Sequence, residues 1–297
     1  MHKLVVILGT NASGKSALGI RLAKHFGGEV VSADSRQVYR DLNLGSGKVS
    51  PAQAATVKHH LIDVAEVSDY YSLAQYQRAA YSAIDSISGQ GKLPFLVGGT
   101  GLYISAIVEG YELVGVPPNE PLRAALESLP VAQLVERLEK SAPNAAGHLD
   151  KSNRRRLIRA IEIASAGYAG SAVPKNSPRY NCLQLGLTWP REILEERIAT
   201  RLRERLADGM LEEVAGLRSR GVPDIRLDKL GLEYRYITRY LRGELRTFDE
   251  LLVQLRIAIR QFAKGQLTWF KRDKRIIWVD SSKDYFQEAC RRTQDFL

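Results

Sequence analysis

Cysteine is scarce in this chain of 297 residues. Cys182 and Cys290 lie far apart, without the close spacing of a zinc site or the density of a disulfide framework. Both read as ordinary buried or half-buried thiols in a reducing, cytoplasmic setting. Long apolar runs are missing too: none approaches the ~20 residues that span a bilayer, so no membrane segment is expected. The chain opens straight into a strand-like run, so no signal peptide is expected. Excess charge of either sign is absent from the first half, where Met1–Lys151 carries 14 basic and 14 acidic residues.

The second half differs. It holds 29 Lys and Arg against 19 Asp and Glu, which accounts for the whole net charge of +10. A charge split of this kind suits a polyanionic partner on the second half. With 44% hydrophobic and 26% charged residues, the rest of the composition is that of an ordinary globular protein. The length allows one large domain or a domain with an insertion.

The most informative stretch is Leu4–Ser16. An aliphatic run, Leu4-Val5-Val6-Ile7-Leu8, leads into Gly9-Thr10-Asn11-Ala12-Ser13-Gly14-Lys15-Ser16, which satisfies G-x-x-x-x-G-K-[ST]. A helix-like run from Ala17 to Lys24 comes directly after it. The glycines let backbone N–H groups turn inward, and the helix adds its positive end. Lys15 brings a point charge to terminal phosphates, and the Ser16 hydroxyl is placed to ligate Mg²⁺. Gly9–Ser16 is read as a phosphate cradle.

Glu29–Ala33 is expected as a second strand, ending in Asp34-Ser35-Arg36-Gln37-Val38-Tyr39. Ligands of parallel α/β sheets sit beyond the carboxyl ends of strands, so Asp34 is expected to face the cradle. Lys58–Val64 reads as a short strand or its lead-in, Tyr71–Ser88 as a helix, Leu93–Val97 as a buried strand stopped by Gly98-Gly99-Thr100-Gly101, and Leu102–Glu109 as a helix. The alternation is that of an α/β fold: a P-loop NTPase-like parallel sheet with helices on both faces. No acidic residue closes the strand Phe95-Leu96-Val97, where ATP- and GTP-hydrolysing proteins commonly hold Mg²⁺.

Pro117, Pro118 and Pro121 mark a change of texture. Helices over Leu122–Leu129, Val131–Lys140 and Ser152–Ala166 suggest a small helical subdomain inserted at 116–172, with 1–115 and 173–297 forming the core. Four arginines, Arg154, Arg155, Arg156 and Arg159, share its last helix. A Ser-, Pro- and Gly-rich loop from Gly167 to Pro178 is expected to be mobile, and Cys182–Leu187 to return to the sheet. A helix over Arg191–Gly209 carries Arg197, Arg201, Arg203 and Arg205, of a kind that often closes over phosphates, with half or more read as surface charge. The long helix from Phe248 to about Phe270 places Arg256, Arg260 and Lys264 on one face, and Ile276–Asp280 reads as a terminal strand.

In order, the segments GTNASGKS, SADSRQVYR, HHLID, LVGGTGLY, RRRLIRAIE and RQFAKGQLTWF resemble those of the tRNA dimethylallyltransferases, the isopentenyltransferase family, from Gly9 to Phe270. The resemblance implies transfer of the five-carbon group of dimethylallyl diphosphate to N6 of the adenosine 3′ of the anticodon. It implies the P-loop with Lys15 as holder of the diphosphate, Ser16 as its Mg²⁺ ligand, Asp34 as general base and Thr100 as a substrate-binding catalytic residue. By the same matching, Asp34, Ser35, Arg36, Gln37, Thr100, Arg123, Arg155, Arg156, Leu157, Ile158, Arg159, Tyr234, Arg235, Lys264, Gln266, Thr268, Trp269 and Lys271 are expected to contact the tRNA anticodon stem-loop. A cytoplasmic monomer of the bacterial form is expected.

Two positions depart from the family pattern. Glu233 stands where a glycine usually precedes the Tyr-Arg pair, and Gly265 where the late motif usually has arginine. Both are expected to bear on RNA binding and not on the phosphate site. Three other readings compete: a small-molecule kinase using ATP, an adenylate-type isopentenyltransferase acting on free AMP, ADP or ATP, and an RNA-binding protein with a vestigial loop. The strand-end glycines and the SADSRQVY segment count against the first, the basic second half against the second, and intact Lys15, Ser16, Asp34 and Thr100 against the third.

Overall fold

Leu4–Leu8 is apolar at every position, which suits a strand covered on both faces. In a computed structural model describing residues 1–168 and 176–297, it lies inside a six-stranded sheet. The elements run β1 (His2–Gly9), α1 (Lys15–His25), β2 (Glu29–Ala33), α2 (Pro51–Thr56), β3 (His59–His60), α3 (Leu73–Gly89), β4 (Pro94–Gly98) and α4 (Gly101–Val108). Next come α5 (Glu120–Glu127), α6 (Val131–Ser141), α7 (Pro143–His148) and α8 (Arg154–Ser165). The chain then continues through β5 (Tyr180–Thr188), α9 (Arg191–Ala207), α10 (Met210–Ser219), α11 (Asp224–Leu230), α12 (Leu232–Leu241), α13 (Phe248–Phe270), β6 (Ile277–Asp280) and α14 (Tyr285–Phe296).

The strand order is β3-β2-β4-β1-β5-β6, with every pairing parallel. Side chains of β1 alternate between two cores, as the period of a strand requires. Leu4, Val6 and Leu8 join the larger one, with residues of α3, α9, α12 and α13. Val5 and Ile7 join the smaller, with Leu18 and Leu22 of α1 and Ala289 of α14. Helices therefore cover both faces, the expected α/β architecture. No helix among the described residues is long and apolar enough to cross a membrane.

The packing divides the chain into two units, Met1–Val108 with Arg179–Leu297, and Glu109–Pro178. The helical unit is wider than 116–172. Tyr111 and Asn176 form an antiparallel bridge where its two ends meet, and the Ser177 N–H donates to Gly110 O at 2.9 Å. Its core is built from Leu126, Leu134, Leu138, Leu157 and Ile161, while the Arg154 guanidinium donates to the carbonyls of Leu126, Glu127 and Leu129. Of the Gly167–Pro178 loop, residues 169–175 lie outside the described residues, and with them the expectation of mobility.

The strand expected over Lys58–Val64 is confined to His59 and His60. Leu61 and Asp63 take left-handed backbone angles (φ +62° and +56°), which no strand continues through. In the sheet register Gly98 aligns with both Leu8 and Ala33. Strands β1, β4 and β2 therefore end level, and the residues just beyond them share one rim of the sheet.

Candidate active site

On that rim lies a cavity of about 720 Å³ lined by Asn11, Ala12, Lys15 and Ser16 after β1, by Asp34–Gln37 after β2, and by Gly98–Leu102 at β4 and the start of α4. A second cavity of about 500 Å³ shares Ala12, Lys15, Ser16, Gly47 and Arg201, and adds Gly14 and Lys48. The cradle thus opens into two spaces. Gly9 is buried and Thr10 and Ser13 are almost wholly so. They lie behind the loop's working face; Asn11, Ala12, Gly14, Lys15 and Ser16 form it.

Lys15 is 9% exposed, and its ammonium donates to Thr10 O at 3.2 Å. Burial pushes its pKa down to about 8, with the Asp34 carboxylate pulling it back up and Arg201 pushing it further down. It remains a cation at neutral pH, loosely compensated and suited to an incoming anion. Ala12 sits at φ +61°, a strained position for a residue with a side chain. The strain is held from outside the loop: Arg197 Nε donates to Ala12 O at 2.9 Å and Trp189 Nε1 to Ser13 O at 2.9 Å, with the guanidinium 4.4 Å from the Trp189 ring.

Asp34 is half-buried and accepts the Arg36 N–H through Oδ1 at 2.9 Å, leaving Oδ2 open to a ligand. The Arg36 guanidinium, its pKa lowered by burial and raised again by Asp34, lines the same space. Thr100 Oγ1 accepts the Ser35 N–H at 3.0 Å and lies 3.4 Å from Ser35 Oγ, so it ties the Asp34 turn to the end of β4. Gln37 is buried; its Nε2 donates to Gly47 O at 3.3 Å and its Oε1 accepts from Ser32 Oγ. It shapes the wall more than it offers itself to a partner.

The arginines of α9 divide by helical spacing. Arg197, Arg201 and Arg205 recur every four residues, share one face, and reach carbonyls of Ala12, Gly47 and Gly45 respectively. Arg201 and Arg205 line the cavity. Arg203 is exposed on another face. More of this set is turned inward than the half expected from sequence. The spacing of four was the available signal.

The residues expected to contact RNA differ in exposure and packing. Tyr234 is fully buried, its hydroxyl donating to Glu213 Oε1 at 2.8 Å. Leu157 and Ile158 are buried in the core of the helical unit and are the packed side of α8. Arg123 and Arg159 both pair with the buried Glu162 carboxylate, at 2.9 and 3.3 Å. Arg155 and Arg156 are exposed. On α13, Lys264 and Thr268 are exposed while Gln266 is buried, and Lys271 just after the helix is exposed; Gln266 and Trp269 line the cavity. Arg235 is exposed and also lines it.

The two departures lie on the wall of the larger cavity, which the phosphate loop shares with Arg235, Gln266 and Trp269. Glu233 and Gly265 both line the cavity. Glu233 pairs with Arg205 at 3.1 Å, so one of the inward arginines is neutralised in place. Its signal was charge: a carboxylate among arginines on neighbouring helices.

For a divalent cation, the oxygen donors on the cavity wall include the Ser16 hydroxyl of the phosphate loop and the Asp34 carboxylate, while the Glu233 carboxylate is paired with Arg205, and no group of three or more His, Cys, Asp or Glu that could hold a metal ion occurs among the described residues. Mg²⁺ is typically bound by few protein ligands together with phosphate oxygens and waters. This donor set fits a cation that arrives with a diphosphate.

Residues 37–273 match the IPP transferase family. A tRNA dimethylallyltransferase 2 of Shewanella sediminis is 42% identical, aligned over 97% of this chain and 96% of its own. One of Pelobacter propionicus is 44% identical over 97% and 93%. Among solved structures, the tRNA isopentenylpyrophosphate transferase of Bacillus halodurans has a TM-score of 0.74 at 35% identity, covering 100% of this chain and 95% of that one. A eukaryotic dimethylallyltransferase acting on tRNA has a TM-score of 0.82 at 24% identity over 100% and 79%, a likeness of fold.

Proposed function

We propose that this chain, which belongs to the IPP transferase family, transfers the dimethylallyl group of dimethylallyl diphosphate to N6 of the adenosine 3′-adjacent to the anticodon of tRNA. The observation that carries the reading is the level ending of β1, β2 and β4. It puts a phosphate loop, a carboxylate and a threonine hydroxyl on the wall of one cavity.

In the step proposed, the N6 lone pair attacks C1 of the allyl group while the C1–O bond to diphosphate breaks. The N6 proton passes to the open oxygen of Asp34, and diphosphate leaves. Exocyclic adenine nitrogen is a weak nucleophile because its lone pair is delocalised into the ring, so removing its proton during attack lowers the barrier. An allylic carbon tolerates positive charge, and the cost falls on the departing oxygen. Lys15, Arg201 and the first-turn N–H groups of α1, which have no intrahelical acceptors, stabilise that growing charge. Ser16 would hold Mg²⁺ together with diphosphate oxygens, and the bound cation would supply further positive charge to the leaving group.

Thr100 acts by fixing the Asp34–Arg36 turn and by offering its hydroxyl to the substrates. A base that must react on its amine has to leave its stack and enter a pocket; the larger cavity, with Trp269 on its wall, suits it. Exposed Arg155 and Arg156, with Lys264 and Lys271, are proposed to meet the RNA backbone. The test is incubation of the chain with Mg²⁺, labelled dimethylallyl diphosphate and either tRNA or AMP. Label in tRNA alone supports the reading; label in AMP alone, or in neither, sinks it.

A further inference from the structure

One buried polar side chain joins, through two hydrogen bonds, a pair of loops that the reaction needs together. Gln266 is 8% exposed and belongs to α13. Its Oε1 accepts the Asn11 N–H at 2.9 Å, and its Nε2 donates to Gly99 O at 2.9 Å. Asn11 belongs to the phosphate loop; Gly99 precedes Thr100. The fit at Gly99 is tight: a Cβ there would lie 2.8 Å from Gln266 Nε2 and 3.3 Å from Lys15 Nζ. A side chain at 99 would displace both the amide and the phosphate-binding cation.

The geometry points to Gln266 as a positioning residue that sets the separation between the leaving-group cradle and the turn carrying the base, and not as an RNA contact. This rests on the reading that Gly9–Ser16 holds a diphosphate. A primary amide is the side-chain group that both accepts and donates at a single planar tip, as an N–H on one side and a carbonyl on the other require. The Asn11 N–H is thereby committed to α13 and withdrawn from the phosphates. The same helix exposes Lys264 and Thr268, with Lys271 exposed at its end, so a ligand seated there would press on the spacing of the two loops.

The test uses the full-length chain, with Gln266→Met and Gln266→Glu. Methionine keeps the volume and loses both bonds. Its kcat is expected to fall roughly 10- to 100-fold, the effect of loosening a positioned site. Affinity for inorganic diphosphate, measured without RNA, should fall with it, while affinity for an anticodon stem-loop RNA stays within about twofold. Glutamate keeps the bond from Asn11 and loses the donor to Gly99 until it is protonated. Its diphosphate affinity, taken relative to wild type, is therefore expected to recover as pH is lowered through the carboxyl range, from about 6 to about 4, which a purely structural role would not produce. Weakened RNA binding with unchanged diphosphate binding would overturn the proposal. So would a lowered melting temperature with kcat intact below it, or a flat pH ratio for the glutamate variant. Because diphosphate binding is read without turnover, a wild-type chain that labels no tRNA would count against the function proposed above and leave this result standing.

Discussion

Tyr234→Phe separates a packed residue from a ligand contact. The Tyr234 hydroxyl donates to Glu213, and the same carboxylate accepts the N–H groups of Asn43, Leu44 and Gly45 at 3.0, 2.7 and 3.0 Å. The ring packs so closely beneath this loop that a Cβ on Gly45 would lie 2.3 Å from its Cζ. A hydrogen bond to a charged acceptor contributes about 1.5–3 kcal/mol. Glu213 keeps its three backbone donors in the variant, so the low end applies, at roughly 1–2 kcal/mol. For a chain of this size that corresponds to a fall in melting temperature of a few degrees. Thermal melts and filter binding of tRNA, on the same preparations, read the two consequences. The expected result is a lower midpoint with unchanged tRNA affinity. An unchanged midpoint with tRNA affinity reduced about tenfold or more would refute the reasoning and return Tyr234 to the RNA surface.

Four further outcomes are expected from the geometry. Asp34→Asn keeps the oxygen that accepts the Arg36 N–H and loses the base; single-turnover rate should fall roughly 10²- to 10⁴-fold with diphosphate and tRNA affinity retained, and an unchanged rate removes Asp34 as base. Lys15 has its pKa lowered to about 8, so inorganic diphosphate affinity should decline as pH rises through about 8 and Lys15→Met should abolish that pH dependence. Burial alone would raise the pKa of Glu29, but hydrogen bonds from Lys92 and His60 and the charges of Lys58 and Lys92 bring it from 4.5 down to about 2. Being depressed in the folded state, it contributes stability above pH 4.5 that is lost as pH falls toward 2, up to roughly 3 kcal/mol; the gap between wild type and Glu29→Gln in urea melts should close across that window. Arg155→Glu with Arg156→Glu should weaken tRNA binding and lower its salt slope by about one for each phosphate no longer neutralised; an unchanged slope takes α8 out of the interface.

How much of the molecule can be read from the chain depends on how far away the partners of each group lie. Leu4–Ser16, Asp34 and Gly98–Thr100 are legible because each is a strand end with its own local pattern, and strand ends of a parallel sheet share a rim. The faces of helices are less legible. Arg197, Arg201, Arg203 and Arg205 look alike in sequence; only contact with Ala12, Gly47 and Gly45 separates the inward three from the outward one. Gln266 lies within a segment whose lysines are exposed, and nothing in its neighbours announces that its partners are 255 and 167 positions earlier. Tyr234 beside exposed Arg235 shows the same limit: adjacent helical residues point about 100° apart, so one can be core and the next surface.

The pairing of β1 has a consequence for the order in which the molecule can be built. One edge of β1 is met by β4, the other along its whole length by β5, and Glu109–Pro178 intervenes as a separate unit. During synthesis the strands β1 to β4 emerge first, and the chain is made at about 5–20 residues per second with its N-terminal parts folding first. For several seconds a strongly apolar strand would present an unsatisfied edge while the helical unit is still being made. Such an edge invites pairing with other chains. The helical unit therefore lengthens the interval of greatest exposure, and aggregation of truncated chains ending before Tyr180 should exceed that of chains ending after Thr188.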